Sequence, residues 1–230
     1  MQDRPLRFGV FAMFKLSLTA GHYKHTAGKR IPKTLDKNET REWVLNDRIC
    51  DKVEEKLKAY EGYELLRTDD TTGEKGISNA ERIAKANKFG ADLYLSIHHN
   101  AGIGGGSGGG IVAYTYTKVS DVTKAWQKEL YNFLIKHTGL KGNRSEPLAA
   151  ANLEECRETA MPAVLLELGF MDSKTDVPVI LSEDYAEKCA TAIVEVIVKR
   201  GRLKKKAPSF DLVSAAKELR RIADGLEGIL

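Results

Sequence analysis

The chain carries the run Ala91-Asp92-Leu93-Tyr94-Leu95-Ser96-Ile97-His98-His99-Asn100, which is mostly apolar until it ends in two histidines and an asparagine. A short apolar run of this kind, bounded by turn residues, is typical of a strand buried at the centre of a sheet. On both sides of it, strand and helix signals alternate along the chain. This alternation predicts an α/β fold with a mostly parallel, twisted sheet and helices on both faces.

The remaining elements follow from periodicity. Alternating or continuous apolar residues predict strands, and apolar residues at helical spacing predict helices. Predicted strands cover residues 15–19, 64–67, 91–98, 111–117 and 163–168; predicted helices cover residues 40–60, 78–89, 121–138 and 184–199. Ser78 is a candidate N-cap. The glycine-rich run at 102–110 has no P-loop ending and no helix after it, so we expect a loop between two strands.

Bulk properties exclude several classes of protein. The chain has 230 residues, 42% hydrophobic and 30% charged, which is ordinary for a globular protein. A net charge of +4 is too small to indicate nucleic-acid binding. Three cysteines without a C-x-x-C pair predict neither a disulfide framework nor a thiolate zinc site. No apolar run is long enough to span a bilayer, so we expect no membrane insertion.

The chain divides into three predicted parts: a main α/β domain at 1–203, a basic linker at 204–209 and a C-terminal amphipathic helix at 210–230. In the last part Leu212, Leu219 and Leu226 recur every seven residues, a pattern that suits docking on the domain or self-association. Residues 8–14 follow two arginines, but we interpret them as a leader into the first strand. We therefore expect synthesis in the cytoplasm without an evident signal peptide.

Residues that can bind a metal lie at the ends of the predicted strands. His22 follows the first strand, a histidine pair ends the central strand, and Glu167 ends the strand at 163–168. The carboxyl ends of parallel strands meet at one edge of a sheet, so these side chains should share a pocket. Two imidazoles and one carboxylate are a common ligand set for a catalytic zinc ion that keeps an open position for water.

Residue chemistry alone does not decide the identity of two of the three ligands. His98 and His99 point to opposite faces of a strand, so only one of them can reach the metal. Glu39 and Glu42 both lie near the start of the first predicted helix. Glu42 shares a helix face with Asn46, because the two are four residues apart.

Several blocks of the chain, in the same order, resemble the zinc-dependent N-acetylmuramoyl-L-alanine amidases of the Amidase_3 family, which includes sporulation amidases and many phage endolysins. The resemblance runs from about Leu16 to Lys199. It rests on Gly21-His22, Glu42 with Asn46, Leu66-Arg67-Thr68-Asp69, Arg82 with Ala86-Asn87, the run 91–101, Asn143-Arg144 and Met161-Pro162-Ala163-Val164-Leu165-Leu166-Glu167-Leu168-Gly169-Phe170.

The resemblance implies that zinc is the cofactor, bound by His22, Glu42 and His98, and that Glu167 is the catalytic carboxylate. Glu167 would take a proton as water attacks an amide and return it to the leaving amine. The implied substrate is bacterial peptidoglycan, cut between N-acetylmuramic acid and L-alanine of the stem peptide. The enzyme would then act on the cell wall.

The chain departs from the family pattern in two places. The segment after His22, residues 23–28, is not the usual glycine-rich and Asp-containing one, and Ser145 stands where a glycine often follows Asn-Arg. His25 is expected to be a solvated loop residue. Four nearby carboxylates are expected to form a solvated acidic face: Glu146, Glu154, Glu155 and Glu158.

Three rival functions remain open. A zinc peptidase cutting within the stem peptide would use the same ligands. A wall-binding module without catalytic activity would need none of them. A cytosolic α/β hydrolase unrelated to walls would require the resemblance in several blocks to be accidental.

Overall fold

The computed structural model describes residues 13–207, 216–217 and 219–222. A six-stranded sheet is formed by β1 (Phe14–Ala20), β3 (Tyr63–Arg67), β4 (Leu93–Asn100), β5 (Ile111–Thr115), β6 (Leu148–Ala150) and β7 (Ala163–Phe170). The helices are α1 (Glu42–Leu57), α2 (Asn79–Phe89), α3 (Asp121–Thr138), α4 (Glu154–Arg157), α5 (Val177–Ile180) and α6 (Glu183–Gly201). A two-stranded ribbon pairs β2 (Tyr60–Glu61) with β8 (Lys204–Lys205).

The strands of the large sheet lie in the order β3-β1-β4-β7-β5-β6. Every pairing is parallel except that of β5 with β7, which is antiparallel. The predicted mostly parallel sheet is therefore confirmed, with β4 and β7 side by side at its centre. In their register His98 is directly opposite Glu167, which places two of the predicted site residues on neighbouring strands.

Helices cover both faces of the sheet, as predicted. The larger core contains α1, α3 and α6 and the strand residues that face them, such as Leu93, Leu95 and Ile97 of β4. A smaller core on the opposite face contains Tyr94 of β4 together with residues of α2, α4 and β7. Because successive strand residues alternate between faces, Tyr94, Ser96 and His98 all point towards the smaller core.

The long elements lie within a few residues of their predicted bounds, and Ser78 caps α2 with a full capping box involving Glu81. The prediction missed β2, β6, β8, α4 and α5. These elements contain two to four residues each, too few to show a period. The glycine-rich loop joins β4 to β5, and the backbone N–H groups of Gly102, Ile103 and Gly104 all donate to Asp172 Oδ2.

The C-terminal part differs from the prediction at one point. Lys204 and Lys205, the first residues of the expected linker, belong to β8 and pair with β2. Most of the segment 208–230 lies outside the described residues. Residues 216–217 and 219–222 are helical, and Leu219 and Ile222 are 68% and 50% exposed. Docking and self-association of this segment both stay predictions. None of the helices in the described ranges has the length and apolar character needed to cross a bilayer.

Candidate metal centre

Three of the predicted residues meet at the carboxyl edge of the sheet. His22 lies two residues beyond β1, His98 is near the end of β4, and Glu42 is the first residue of α1. One ligand atom from each of them lies within 4.8 Å of the others. Glu39, the alternative to Glu42, instead pairs with Arg30 at 3.2 Å.

Glu42 bridges the two imidazoles. Its Oε2 atom is 3.3 Å from His22 Nε2, and its Oε1 atom is 3.1 Å from His98 Nδ1. The two rings are nearly perpendicular, with centroids 5.0 Å apart. The Glu42 side chain is buried, so this carboxylate is held between its two neighbours away from bulk solvent.

The backbone of His22 adopts an unfavourable conformation, with φ at +66°. A non-glycine residue in the left-handed region costs free energy, on the order of 1–2 kcal/mol. The buried guanidinium of Arg82 stabilises this turn, because Nη2 donates to the His22 carbonyl at 2.8 Å and Nη1 donates to the Ala20 carbonyl at 2.6 Å. Arg82 was part of the motif blocks, but the sequence did not predict that it supports a candidate ligand.

Gly21 is required by the His98 ring. A Cβ atom at this position would lie 2.1 Å from His98 Cε1 and 2.4 Å from both ring nitrogens. The φ of Gly21 is not in the left-handed region. The glycine of the Gly-His pair therefore makes room for the second imidazole and is not there to allow a turn.

His99 points to the other face of β4, as alternation predicts. Its Nδ1 atom is 2.8 Å from Asn46 Oδ1, and Asn46 Nδ2 donates to the Gly21 carbonyl at 3.1 Å. The backbone N–H of His99 donates to Glu42 Oε1 at 3.2 Å. Glu42 and Asn46 share one face of α1, as predicted. Through this face, α1 contacts the turn before His22 and the strand that carries His98.

The charges around His98 favour a cation. Burial alone would lower the pKa of His98, but contacts with Glu155 and Glu42 raise it to about 10. Burial alone would raise the pKa of Glu42, but the close contacts with His22 and His98 hold it well below its usual range. Positive charge is therefore stabilised at the point where the three candidate ligands converge.

Glu167 lies beside this cluster on β7 and is the expected proton carrier. Burial is the main cause that raises its pKa to about 7, and the nearby Glu42 and Glu155 carboxylates act in the same direction. Its Oε2 atom is buried without a hydrogen-bond partner among the described residues. A carboxylate with a pKa near neutrality can both accept and release a proton at physiological pH.

The donor set fits a divalent metal ion. Two imidazoles and one carboxylate suit zinc, which binds nitrogen and oxygen ligands and keeps an open position in catalytic sites. Glu42 Oε2 is buried, and its contacts with His22 Nε2 at 3.3 Å and Lys29 Nζ at 3.5 Å do not have hydrogen-bond geometry. An ion at this point would satisfy that buried oxygen, which otherwise carries a desolvation cost.

One sequence-based expectation about this region is wrong. Glu146, Glu154 and Glu158 are exposed as expected, but Glu155 is buried, with 5% of its surface exposed. Because α4 is a short helix packed on the sheet beside β7, Glu154 faces solvent whereas the next residue, Glu155, faces the core. His25, in contrast, is exposed and pairs with Glu74 at 3.4 Å, as expected for a loop histidine.

Lys29 is another residue whose place beside the cluster the sequence did not indicate. Its Nζ atom is 3.5 Å from Glu42 Oε2, and its side chain is 44% exposed. It therefore brings a positive charge from the loop after His22 to the rim of the cluster.

Known proteins share this fold and sequence pattern. The catalytic domain of the amidase CwlV from Bacillus (Paenibacillus) polymyxa superposes with a TM-score of 0.72 at 24% identity, covering 84% of this chain and 100% of that one. An N-acetylmuramoyl-L-alanine amidase from Clostridium difficile 630 gives the same TM-score and identity, covering 82% and 96%. At this identity the two structures support the fold alone.

Curated relatives are closer in sequence. The amidase CwlM of Bacillus licheniformis is 31% identical over 162 residues, which are 70% of this chain and 60% of the relative. The endolysin of Bacillus phage SPP1 is 35% identical over 127 residues, 55% of this chain and 46% of the relative. The chain thus spans about half the length of these relatives. The profile of the Amidase_3 family, described as N-acetylmuramoyl-L-alanine amidase, matches residues 17–199, and the chain belongs to this family.

Proposed function

We propose that this chain is a zinc-dependent N-acetylmuramoyl-L-alanine amidase that acts on bacterial cell walls. Its substrate is the amide bond between the lactyl group of N-acetylmuramic acid and the L-alanine of the stem peptide. The observation that carries the proposal is the convergence of His22, Glu42 and His98 beside the half-buried Glu167. Family membership supplies the class of substrate.

In this proposal His22, Glu42 and His98 hold the zinc ion. A zinc ion bound there supplies Lewis-acid chemistry, which polarises a carbonyl and makes water more acidic. Glu42, kept ionised by both imidazoles, contributes the negative charge of the ligand set. Arg82 supports the backbone of His22, and Gly21 leaves room for the ring of His98.

Glu167 moves the proton. Its unpartnered Oε2 atom accepts a proton from the attacking water, and the same carboxyl group then donates that proton to the leaving amine of L-alanine. The C–N bond breaks, and the products are a lactyl carboxylate on N-acetylmuramic acid and an intact stem peptide with a free alanine amino terminus.

The direct test is digestion of purified peptidoglycan with and without a zinc chelator, followed by mass analysis of the fragments. We expect intact stem peptides beginning with alanine, and their loss when zinc is removed. Fragments cut inside the stem would support the zinc peptidase instead. No release of fragments, together with negligible zinc content, would support the inert wall-binding module.

Two variants separate metal binding from proton transfer. Glu167→Gln should retain zinc and lose hydrolysis, whereas His22→Ala should lose zinc itself. Glu158→Gln, an exposed carboxylate outside the cluster, is the matched control and should behave as wild type. Turnover near the wild-type rate in Glu167→Gln would refute the role given to that residue.

A further inference from the structure

A second buried carboxylate, outside the proposed ligand set, faces the other side of the His98 ring. Glu155 Oε2 is 3.6 Å from His98 Nε2, whereas His98 Nδ1 faces Glu42. The two ring nitrogens of this one imidazole thus point to two different carboxylates. Only Glu42 belongs to the group of atoms that converge with His22.

The strand explains how Glu155 is placed. Tyr94, Ser96 and His98 lie on one face of β4 at alternate positions, and each of them reaches the same carboxylate. The Tyr94 hydroxyl donates to Glu155 Oε1 at 2.5 Å, and Ser96 Oγ is 3.4 Å from the same atom. Ser96 Oγ also lies 3.5 Å from Glu155 Oε2, so two hydroxyl groups hold the carboxylate, and Oε2 is the oxygen that faces the imidazole.

The Nε2 atom of His98 needs a hydrogen-bond acceptor when it carries a proton. His98 Nε2 is buried, and among the described residues no partner lies within hydrogen-bonding distance of it. An imidazole that binds a metal through Nδ1 carries its proton on Nε2, and such protons usually go to a carboxylate or a carbonyl. At 3.6 Å the present contact is an ion pair, and a shift of a few tenths of an ångström would make it a hydrogen bond.

We propose that Glu155 is a positioning residue for the zinc site: its carboxylate accepts the Nε2 proton of His98 and thereby directs Nδ1 towards the metal. This inference rests on the proposed function, because it assumes that His98 is a metal ligand. Its effect is on the tautomer and orientation of the ring, and through them on zinc affinity. Glu155 itself does not contact the substrate.

Two variants of Glu155 test this assignment at different strengths. Glu155→Ala removes the acceptor, and Glu155→Gln removes the charge but keeps an amide oxygen. Outer carboxylates of this kind change metal affinity by about 10- to 100-fold. We expect a loss in that range for the alanine variant and a smaller loss for the glutamine variant, measured by competition with a fluorescent zinc chelator.

Two control variants separate positioning from general stability. Glu154→Gln changes the exposed neighbour on the same short helix and should bind zinc as wild type does. Tyr94→Phe removes a buried hydrogen bond to Glu155 but leaves the carboxylate, so it should lower thermal stability while changing zinc affinity less than Glu155→Ala. If Glu155→Ala does not fold, Glu155→Gln and the control variants still decide the question.

The ring nitrogens give a readout that a purely structural role would not change. In the zinc-loaded protein, long-range ¹H–¹⁵N spectra of the five histidines should show His98 metal-bound at Nδ1 and protonated at Nε2. The Nε2 proton should lie downfield in wild type and move upfield in Glu155→Gln. X-ray absorption should show the same number of zinc ligands in both proteins.

The outcomes are distinct. Unchanged zinc affinity in both Glu155 variants, or zinc bound at His98 Nε2, would overturn the positioning role while leaving the proposed function intact. Loss of one ligand from the zinc shell in Glu155→Gln would also overturn it, because Glu155 would then be a direct ligand. Wild-type protein that binds no zinc would instead refute the proposed function.

Discussion

Replacing Gly21 with alanine should disable the metal centre without unfolding the protein. The new Cβ atom would lie 2.1 Å from His98 Cε1, and ordinary van der Waals contact begins near 3.4 Å. The ring would therefore have to retreat by about 1.3 Å. Zinc–nitrogen bonds tolerate deviations of only about 0.2 Å, so the displaced ring could no longer bind zinc.

We expect zinc affinity to fall by more than about 100-fold, since changes to outer residues alone cost about 10- to 100-fold. If the backbone moves instead of the ring, His22 moves with it, and the expected result is the same. Because Gly21 has no positive φ, alanine adds no backbone strain. The zinc-free variant should therefore lose only the overpacking cost of the displaced ring, about 1–3 kcal/mol, and remain folded.

The assay is chelator competition for zinc, with circular dichroism to verify folding. Gly106→Ala is the matched control, because Gly106 also lacks a positive φ and a Cβ atom there would come no closer than 3.3 Å to the Ile103 carbonyl oxygen. Wild-type zinc affinity in a folded Gly21→Ala variant would refute the steric reasoning and the position assigned to His98.

Three further predictions concern the surroundings of the centre. Arg82→Met should destabilise the fold by about 3 kcal/mol or more, because buried carbonyls lose a charged donor, and it should also weaken zinc binding by releasing the His22 backbone. Arg67→Met should destabilise by about 3–5 kcal/mol in a denaturant titration, because it leaves buried carboxylates unpaired, yet zinc affinity per folded molecule should be unchanged. Hydrolysis should decrease as pH falls and Glu167 becomes protonated; since a nearby cation lowers a carboxyl pKa, the midpoint should lie at or below about 7.

The contrast between Arg82 and Arg67 shows what motif blocks do and do not reveal. Both arginines lie in blocks that carry the family resemblance. Arg82 donates to carbonyls around His22. Arg67 instead joins β3 to α1 through three carboxylates, Asp47, Asp51 and Glu54, and also pairs with Asp69 just after its own strand. The sequence shows that both residues belong to the pattern, but only the structure separates support of the site from support of the fold.

The sequence predicted those helices and strands that are long enough to show a period or that have a clear boundary. The central strand, the capped helix α2 and helix α3 each provide enough residues for alternation or helical spacing to appear. The position of the site also follows, because the carboxyl ends of parallel strands must share one edge. His22, His98 and Glu167 were placed together by that rule.

Glu155 could not be predicted in the same way. It lies on a four-residue helix flanked by exposed carboxylates, and nothing in that local pattern distinguishes it from Glu154. Its burial depends on Tyr94, Ser96 and His98 of a strand about sixty residues earlier in the chain. A signal was present in retrospect: two hydroxyl residues alternate with apolar ones ahead of a histidine, and such buried hydroxyls require an acceptor.

The left-handed backbone of His22 was hidden for a related reason. A glycine before a histidine suggests that the glycine provides the unusual φ, yet the structure assigns the positive φ to His22 and steric clearance to Gly21. Distinguishing the two requires knowing that the His98 ring lies against this turn, which is a tertiary contact.

The central claim is that one divalent cation is held by His22, Glu42 and His98 next to Glu167. Anomalous diffraction at the zinc absorption edge, from crystals grown with zinc, tests it most directly. We expect one strong peak per chain, bonded to His22, to Glu42 and to His98 through Nδ1. A peak bound by other residues, or no peak at this edge of the sheet, would contradict the claim.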